Sequence, residues 1–322
     1  ASLENAAINT PLTLPVASPH LWSPEDPYLY DLDITLSLNG EQTDAVKSYC
    51  GMRKIEVKKV NDIPRIFLNG KQIFQMGPLD QGWWPDGLYT APSDEALLFD
   101  VKEMKELGFN MIRKHIKVEP SRWYMHCDRE GILVWQDLPS PGLPAGHEAF
   151  ARQNFEEEAV RIIDAFENHP SIVQWVVFNE GWGQFDTERM TQVVIDKVSP
   201  QSLVCCASGW NDAEIGDIKD SHSYPYPSCP IDQKRACVNG EYGGITLKVP
   251  GHIWPGGDFG YTTVETPEDF TVMFNDLADK IKDHYYYGLN AAVYTQLSDV
   301  EIEKNGIYTY DRRILKPYSP TG

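Results

Sequence analysis

Residues 172–182 read IVQWVVFNEGW. Seven mostly apolar residues without polar alternation end abruptly in Asn179-Glu180, and Gly181 follows. A short run of this kind suits a strand covered on both faces, as in a parallel sheet flanked by helices. Helical spacing appears on both sides of it. Residues 148–166 carry Val160, Ile163 and Phe166 on one face, and 187–198 form a second helical stretch.

Outward from there the same alternation continues. Strands are expected at 73–79, 109–112, 132–135, 172–178, 203–207, 218–224, 236–240 and 291–297. A helix from Ser93 to Leu107 has a capping Ser, Asp94 and Glu95 in its first turn and Gly108 as its stop. Further helices are expected at 120–129 and 267–286. Eight strands, most followed by a helix, predict an α/β protein whose main part, residues 59–322, is a (β/α)8 TIM barrel.

Residues 1–58 read differently. Residues 11–16 alternate weakly. LYDLDITLSL (29–38) alternates well, with Leu32, Ile34, Leu36 and Leu38 on one face. Asn39-Gly40 is a tight-turn signal, and a further strand is expected over 46–57. Three or four strands are about half of the seven that an immunoglobulin-like β-sandwich needs. This part is therefore expected to be a partial immunoglobulin-like β-sandwich that leaves a sheet edge and an apolar face exposed.

Composition narrows the function. The 322 residues carry 28 Lys and Arg against 47 Asp and Glu, a net charge of −19. That argues against nucleic acid or an anionic membrane surface as partner. No apolar run is long enough to span a bilayer. Nine Trp and 16 Tyr exclude a disordered acidic chain and suit carbohydrate binding or a large core. The six Cys show no metal-ligand spacing and are expected mostly as free buried thiols, Cys205 and Cys206 on opposite sides of a strand. The first residues, Ala1-Ser2-Leu3-Glu4, lack a signal-peptide pattern, so a leader is expected to have been removed or to lie outside this chain.

In a barrel of this type chemistry sits where the strands end. Those ends carry Arg113-Lys114-His115, Gln136-Asp137, Asn179-Glu180, His222-Ser223-Tyr224, Asn239-Gly240-Glu241, and Gln296 with Ser298 and Asp299. Glu180 and Glu241 stand out, since each terminates an apolar strand. Two carboxylates about 5–5.5 Å apart perform retaining glycoside hydrolysis, one as nucleophile and one as acid then base. The spacing equally allows two solvated strand-end glutamates with no joint role.

FNEGW (178–182), NGEYGG (239–244), LWSPEDPYLY (21–30) and GMRKIEV (51–57) together resemble glycoside hydrolase family 2, over residues 20–317. That family includes β-galactosidases, β-glucuronidases and β-mannosidases. Its architecture is a jelly-roll domain, an immunoglobulin-like domain and a barrel, so the resemblance implies a jelly roll and the start of the sandwich outside this chain. It also implies Glu180 as acid/base and Glu241 as nucleophile. Asn179 would hold the sugar 2-hydroxyl. Arg113 would steady Glu241 or form a buried structural ion pair. Tyr224 would bond Glu241, and His222, on the same side of its strand, is either a site residue or a structural histidine. Asp137 and Gln136 would reach sugar hydroxyls or support loops. Trp182, Trp210 and Trp254 would stack on a pyranose or pack beneath loops.

Departures from the family pattern limit the transfer. Arg113-Lys114-His115 is one residue short of Arg-x-x-His, so His115 is not carried over. AAVYTQLSDVE (291–301) has Gln296 near the place where many members have Trp. Glu303-Lys304-Asn305-Gly306 lacks the Asn-x-Lys of β-glucuronidases, which argues against that activity. LPSPGLP (138–144) lacks a Glu-x-His metal pair, so no metal or cofactor is expected. The resemblance implies an exo-acting β-glycosidase for a neutral sugar, galactoside first and mannoside second, since VWQD (134–137) is similar to β-mannosidases. A non-catalytic carbohydrate-binding barrel is the contrasting expectation. Glycan degradation favours a periplasmic or secreted setting, and an oligomer stays open.

Overall fold

A computed structural model describes residues 1–140 and 148–317. Residues 141–144 of the LPSPGLP stretch therefore lie outside the described residues. In chain order the strands are β1 (Tyr30–Leu38), β2 (Glu41–Cys50), β3 (Ile55–Val60), β4 (Ile63–Leu68), β5 (Lys71–Gln72), β6 (Gln75–Asp80), β7 (Met111–Lys114), β8 (Leu133–Asp137), β9 (Ile172–Asn179), β10 (Leu203–Ser208), β11 (Ile218–His222), β12 (Ala236–Gly243), β13 (Ile245–Thr246), β14 (Thr262–Thr263) and β15 (Leu289–Thr295). The helices are α1 (Asp94–Glu106), α2 (Ser121–Glu130), α3 (Ala149–Phe166), α4 (Thr187–Val198) and α5 (Pro267–Tyr287).

Eight strands form one parallel sheet in the order β10-β9-β8-β7-β6-β15-β12-β11. Its two ends meet at a bridge between Cys205 and Gly216, so the TIM barrel is nearly closed. Alternate residues of each strand enter two different apolar layers. Met111, Leu133, Leu203, Cys205, Ala291 and Val293 fill the barrel interior. Their chain neighbours Ile112, Val134, Val204, Cys206, Ala292 and Tyr294 pack outward beneath the helices. Both faces are thus largely dry, which is why strands such as β9 and β15 read as nearly unbroken apolar runs, whereas β11 (IKDSH) does not. Cys205 and Cys206 fall on opposite sides, and all six cysteines are free thiols.

Local signals set the helix ends. Ser93 caps α1 by accepting from Ala96 N. Gly131, at φ 74°, ends α2 in the left-handed conformation that glycine adopts without strain. Thr266 caps α5, with Pro267 in its first turn. Among the described residues no helix follows β10 or β11. None is long and apolar enough to cross a membrane.

β1 and β2 form an antiparallel hairpin, turned by Asn39 (φ 54°) and Gly40 (φ 84°). Positive φ at both turn residues matches the right-handed twist of the flanking strands. Ile34, Leu36, Leu38 and Val46 are exposed along this hairpin, as the partial sandwich implied. Two expectations fail here. Residues 11–16 are not a strand. The strand expected over 46–57 is two strands, β2 and β3, broken at 51–54. A Cβ on Gly51 would lie 2.6 Å from Pro170, and Arg53 donates to the carbonyls of Pro170 (3.0 Å) and Ile172 (2.6 Å). The chain bends there to dock on the barrel. β3, β4 and β5 then make a small antiparallel sheet that the sequence did not suggest.

Candidate active site

β9 delivers Asn179 and Glu180 to the barrel mouth. Glu180 has φ 54°, a left-handed conformation that costs a non-glycine residue on the order of 1 kcal/mol and persists where the surroundings enforce it. Its N–H donates to Ser208 O at 2.9 Å. β12 delivers Glu241 after Gly240, where a Cβ would sit 2.2 Å from Asp220 Oδ2. Glycine is required at that position because Asp220 occupies the space.

Arg113, at the end of β7, organises the floor. Its guanidinium is fully buried and donates to Asp137 Oδ1 (3.1 Å) and Oδ2 (2.9 Å), Asn179 Oδ1 (2.8 Å), Gly240 O (3.0 Å) and Glu241 Oε1 (3.2 Å). A planar fork of donors suits this simultaneous engagement, which a lysine could not reproduce. Asn179 Oδ1 is thereby spent on Arg113, which leaves its amide N–H₂ as its remaining polar group.

Glu241 also accepts from Tyr224 OH at 2.5 Å, and Tyr224 contacts Thr295 Oγ1 at 2.7 Å. Glu180 Oε1 lies 2.6 Å from His222 Nδ1, and the same nitrogen is 3.6 Å from Glu241 Oε2. One oxygen of Glu180, one nitrogen of His222 and one oxygen of Glu241 lie within 4.8 Å of one another. Arg113 already supplies positive charge there, 3.5 Å from His222 Nε2 and 3.2 Å from Glu241. The cluster thus sets two carboxyl groups and an imidazole beside a buried guanidinium.

Burial by itself would raise the Glu241 carboxyl, but His222 and Arg113 outweigh it and hold it below the ordinary glutamate value. Burial likewise opposes charge on His222, yet Glu241, Glu180 and Asp220 together push its pKa above that of a free histidine. Burial would raise Asp137, and Arg113 and His115 hold it down. Burial raises Glu303, and the nearby Glu241 charge raises it further.

The other expected residues divide. Trp182 is half exposed beside Glu180, its Nε1 3.4 Å from Glu180 Oε2. Trp210 stands edge-on to His222, with ring centroids 6.0 Å apart. Gln296 donates to Glu303 Oε2 and Asn305 Oδ1, both at 2.9 Å, and accepts from Gln81 at 3.0 Å. Three residues with two placements open take the structural one. Asp137 lies behind Arg113, with His115 Nδ1 at 3.0 Å, and its oxygens engage those two side chains. Gln136 is buried against Tyr124 and the carbonyls of Lys117 and Asp137. Trp254 packs edge-on to Tyr310 and, with Trp83, Trp84, Asp299 and Val300, lines a small cavity.

Several site residues escaped the sequence reading. Tyr261 stacks on Tyr224 with centroids 3.5 Å apart. Its signal was an aromatic in a glycine-rich loop. Ser208 and Asp220 stand behind His222, and Glu303 lies within electrostatic reach of Glu241. His115, set aside for its spacing, reaches Asp137 and acts on Glu241.

The chain matches two family models: Glycosyl hydrolases family 2 over residues 1–53, and Glycosyl hydrolases family 2, TIM barrel domain, over residues 59–317. A β-galactosidase of Lactococcus lactis is 32% identical over 176 residues, 52% of this chain and 17% of that protein. A β-glucuronidase of Bacteroides fragilis is 31% identical over 188 residues, 55% of this chain and 26% of that protein. The chain thus spans a quarter or less of the length of most such relatives. Among solved structures, a family 2 β-galacturonidase of Eisenbergiella tayi bound to galacturonate superposes with a TM-score of 0.75 at 20% identity, covering 93% of this chain and 58% of that one. A β-glucuronidase of Parabacteroides merdae gives 0.71 at 17% identity, over 92% of this chain and 41% of that one. With the barrel model matching residues 59–317, the chain belongs to glycosyl hydrolases family 2.

Proposed function

We propose that this chain is the catalytic part of a retaining exo-β-glycosidase acting on a terminal neutral sugar, with β-galactosides as first substrate. The observation that carries the reading is the pairing of Glu180 and Glu241 oxygens within 4.8 Å across His222. That closeness supports a direct covalent displacement over an inverting mechanism, whose carboxyl groups stand about 6.5–9.5 Å apart. The roles follow from the surroundings. Glu241 is buried, ionised by its neighbours and aimed by Arg113 and Tyr224, as a nucleophile requires. Glu180 is the more exposed of the two, where a leaving group and then a water can reach it.

In the first step Glu241 attacks the anomeric carbon while Glu180 protonates the departing oxygen. In the second, Glu180 draws a proton from water, whose oxygen displaces Glu241. The Asn179 N–H₂ is free to bond a sugar hydroxyl. We read residues 1–58 as the end of an immunoglobulin-like sandwich and 59–322 as the catalytic barrel. Glu303, Gln296 and Asn305 supply carboxylate and amide groups near Glu241, a wall that suits sugar hydroxyls and repels a uronate.

A panel of aryl β-glycosides, with wild type set against Glu241→Gln, tests the reading. Galactoside turnover that the substitution abolishes is the expected result. Equal rates in both proteins, or sugar binding without turnover in wild type, would favour a non-catalytic barrel.

A further inference from the structure

His222 is almost fully buried and meets a different partner on each edge. Nδ1 faces Glu180 Oε1 at 2.6 Å, and Nε2 faces Ser208 Oγ at 2.7 Å. Ser208 Oγ in turn lies 2.6 Å from Asp220 Oδ2, while Asp220 Oδ1 accepts from Gly240 N at 2.6 Å. Burial raises the Asp220 carboxyl, opposed by His222, Arg113, Ser208 and the Gly240 N–H; as the carboxylate that these donors call for it only accepts hydrogen bonds, so the single Ser208 proton goes to Asp220. Ser208 Oγ then meets His222 as an acceptor, and Nε2 must carry a proton. Arg113 Nη1, 3.5 Å from Nε2, is itself only a donor and cannot reverse that assignment. Nδ1 is left as the atom whose protonation changes. A 2.6 Å contact with a carboxyl oxygen places one proton between the two.

We propose that Asp220 and Ser208 are positioning residues that hold His222 as the Nε2–H tautomer, so that His222 Nδ1 and Glu180 share the one proton used in catalysis. This rests on the retaining reading above. The proton count closes over a cycle. Glu180 gives the shared proton to the glycosidic oxygen as the C–O bond breaks, its electron pair stays on that oxygen, and Glu241 forms the ester. Glu180 is then a carboxylate facing the Nδ1 lone pair of a neutral ring, which makes it a stronger base. It takes a proton from the attacking water as the ester bond breaks, and the proton is again shared with Nδ1. The charged and titratable groups around the ring are Glu180 from the end of β9, Glu241 from β12, Asp220 from β11 and Arg113 from β7. Ser208 from β10 and the edge of Trp210 complete the enclosure. Tyr224, His115, Tyr261 and Glu303 act one shell further out, through Glu241.

Two measurements test this. Nitrogen-15 NMR of the histidine-labelled chain, with His222→Gln for assignment, is expected to show Nε2 protonated throughout and Nδ1 titrating. A neutral ring carrying its proton on Nδ1 would overturn the proposal, whatever the protein hydrolyses. In kinetics, Ser208→Ala and Asp220→Asn should move the alkaline limb of kcat/KM downward by roughly one pH unit, because a negative charge and an acceptor that retain the shared proton are gone. Ser208→Thr, which keeps the hydroxyl, should restore the limb. An unchanged limb in folded Ser208→Ala would also overturn it. Absence of any glycoside turnover by wild type would instead remove the glycosidase reading and leave the NMR result to decide the tautomer.

Discussion

The two ends of the barrel bury charge in opposite ways. At the N-terminal end Asp128 accepts from Tyr49 OH (2.7 Å) and Ser171 N (2.9 Å) and lies 2.6 Å from His169 Nδ1. Trp22, fully buried, donates to the Asp128 carbonyl at 2.7 Å, and Arg53 caps two carbonyls beside it. Most groups there answer another, Ser171 Oγ excepted, and Trp22, Tyr49 and Arg53 tie the N-terminal part to the barrel base. At the C-terminal end two carboxylates are held close against their mutual repulsion, Glu180 sits in a left-handed backbone conformation, and an amide of Asn179 is left open. The base uses burial for cohesion. The mouth keeps strain and unspent hydrogen-bonding capacity, which a ligand can satisfy.

Substitutions should separate the two ends. The largest expected effect is at the mouth: Glu180→Gln should lower kcat by about 10²–10⁴-fold, with the loss steepest for poor leaving groups and little change in thermal stability. Rates on glycosides of graded leaving-group acidity, with a melting curve alongside, check it. The converse holds at the base. Trp22→Ala should cost about 3–5 kcal/mol of stability by cavity formation, read from denaturant unfolding, while kcat and KM of the remaining folded protein stay unchanged. A catalytic defect there would break the comparison.

The pH dependence of stability should carry opposite signs at two mouth residues. Glu241 is held below its unfolded value, so its contribution is present above that value and is lost as pH falls through the folded one. His222 is held above its unfolded value. Its contribution is full below about pH 6.5 and is lost as pH rises through the folded value. Melting temperatures across pH should therefore flatten on the acid side in Glu241→Gln and on the alkaline side in His222→Gln. The smallest effect is expected for Trp182→Ala. This half-exposed ring should contribute about 1 kcal/mol, a several-fold rise in KM at nearly constant kcat.

The barrel was legible because a strand dry on both faces leaves a short, largely apolar run, and such runs recur between helical stretches, with β11 (IKDSH) as an exception. The carboxylates were legible because Glu180 and Glu241 interrupt those runs where nothing else requires charge. Asp220 and Ser208 were not. Each is a small polar residue within a strand, and no local pattern separates a Ser208 that meets His222 from one that caps a backbone group. Asp137 stayed open for a related reason: it stands at a strand end like Glu180, yet its carboxylate turns to Arg113 and His115. Trp254 stayed open because a long loop carries no periodicity from which a destination could be read.

By itself the sequence determined the order of the barrel's strands and helices, the fold class and the two strand-end glutamates as candidates, since these follow from periodicity and from charge placed against an apolar background. The tertiary structure alone decided which polar atoms converge. β7, β9, β10, β11 and β12 bring Arg113, Glu180, Ser208, His222 and Glu241 to one mouth. Hydrogen-bond partnership depends on directions and on separations of a few ångströms, and barrel closure sets both between residues far apart in the chain.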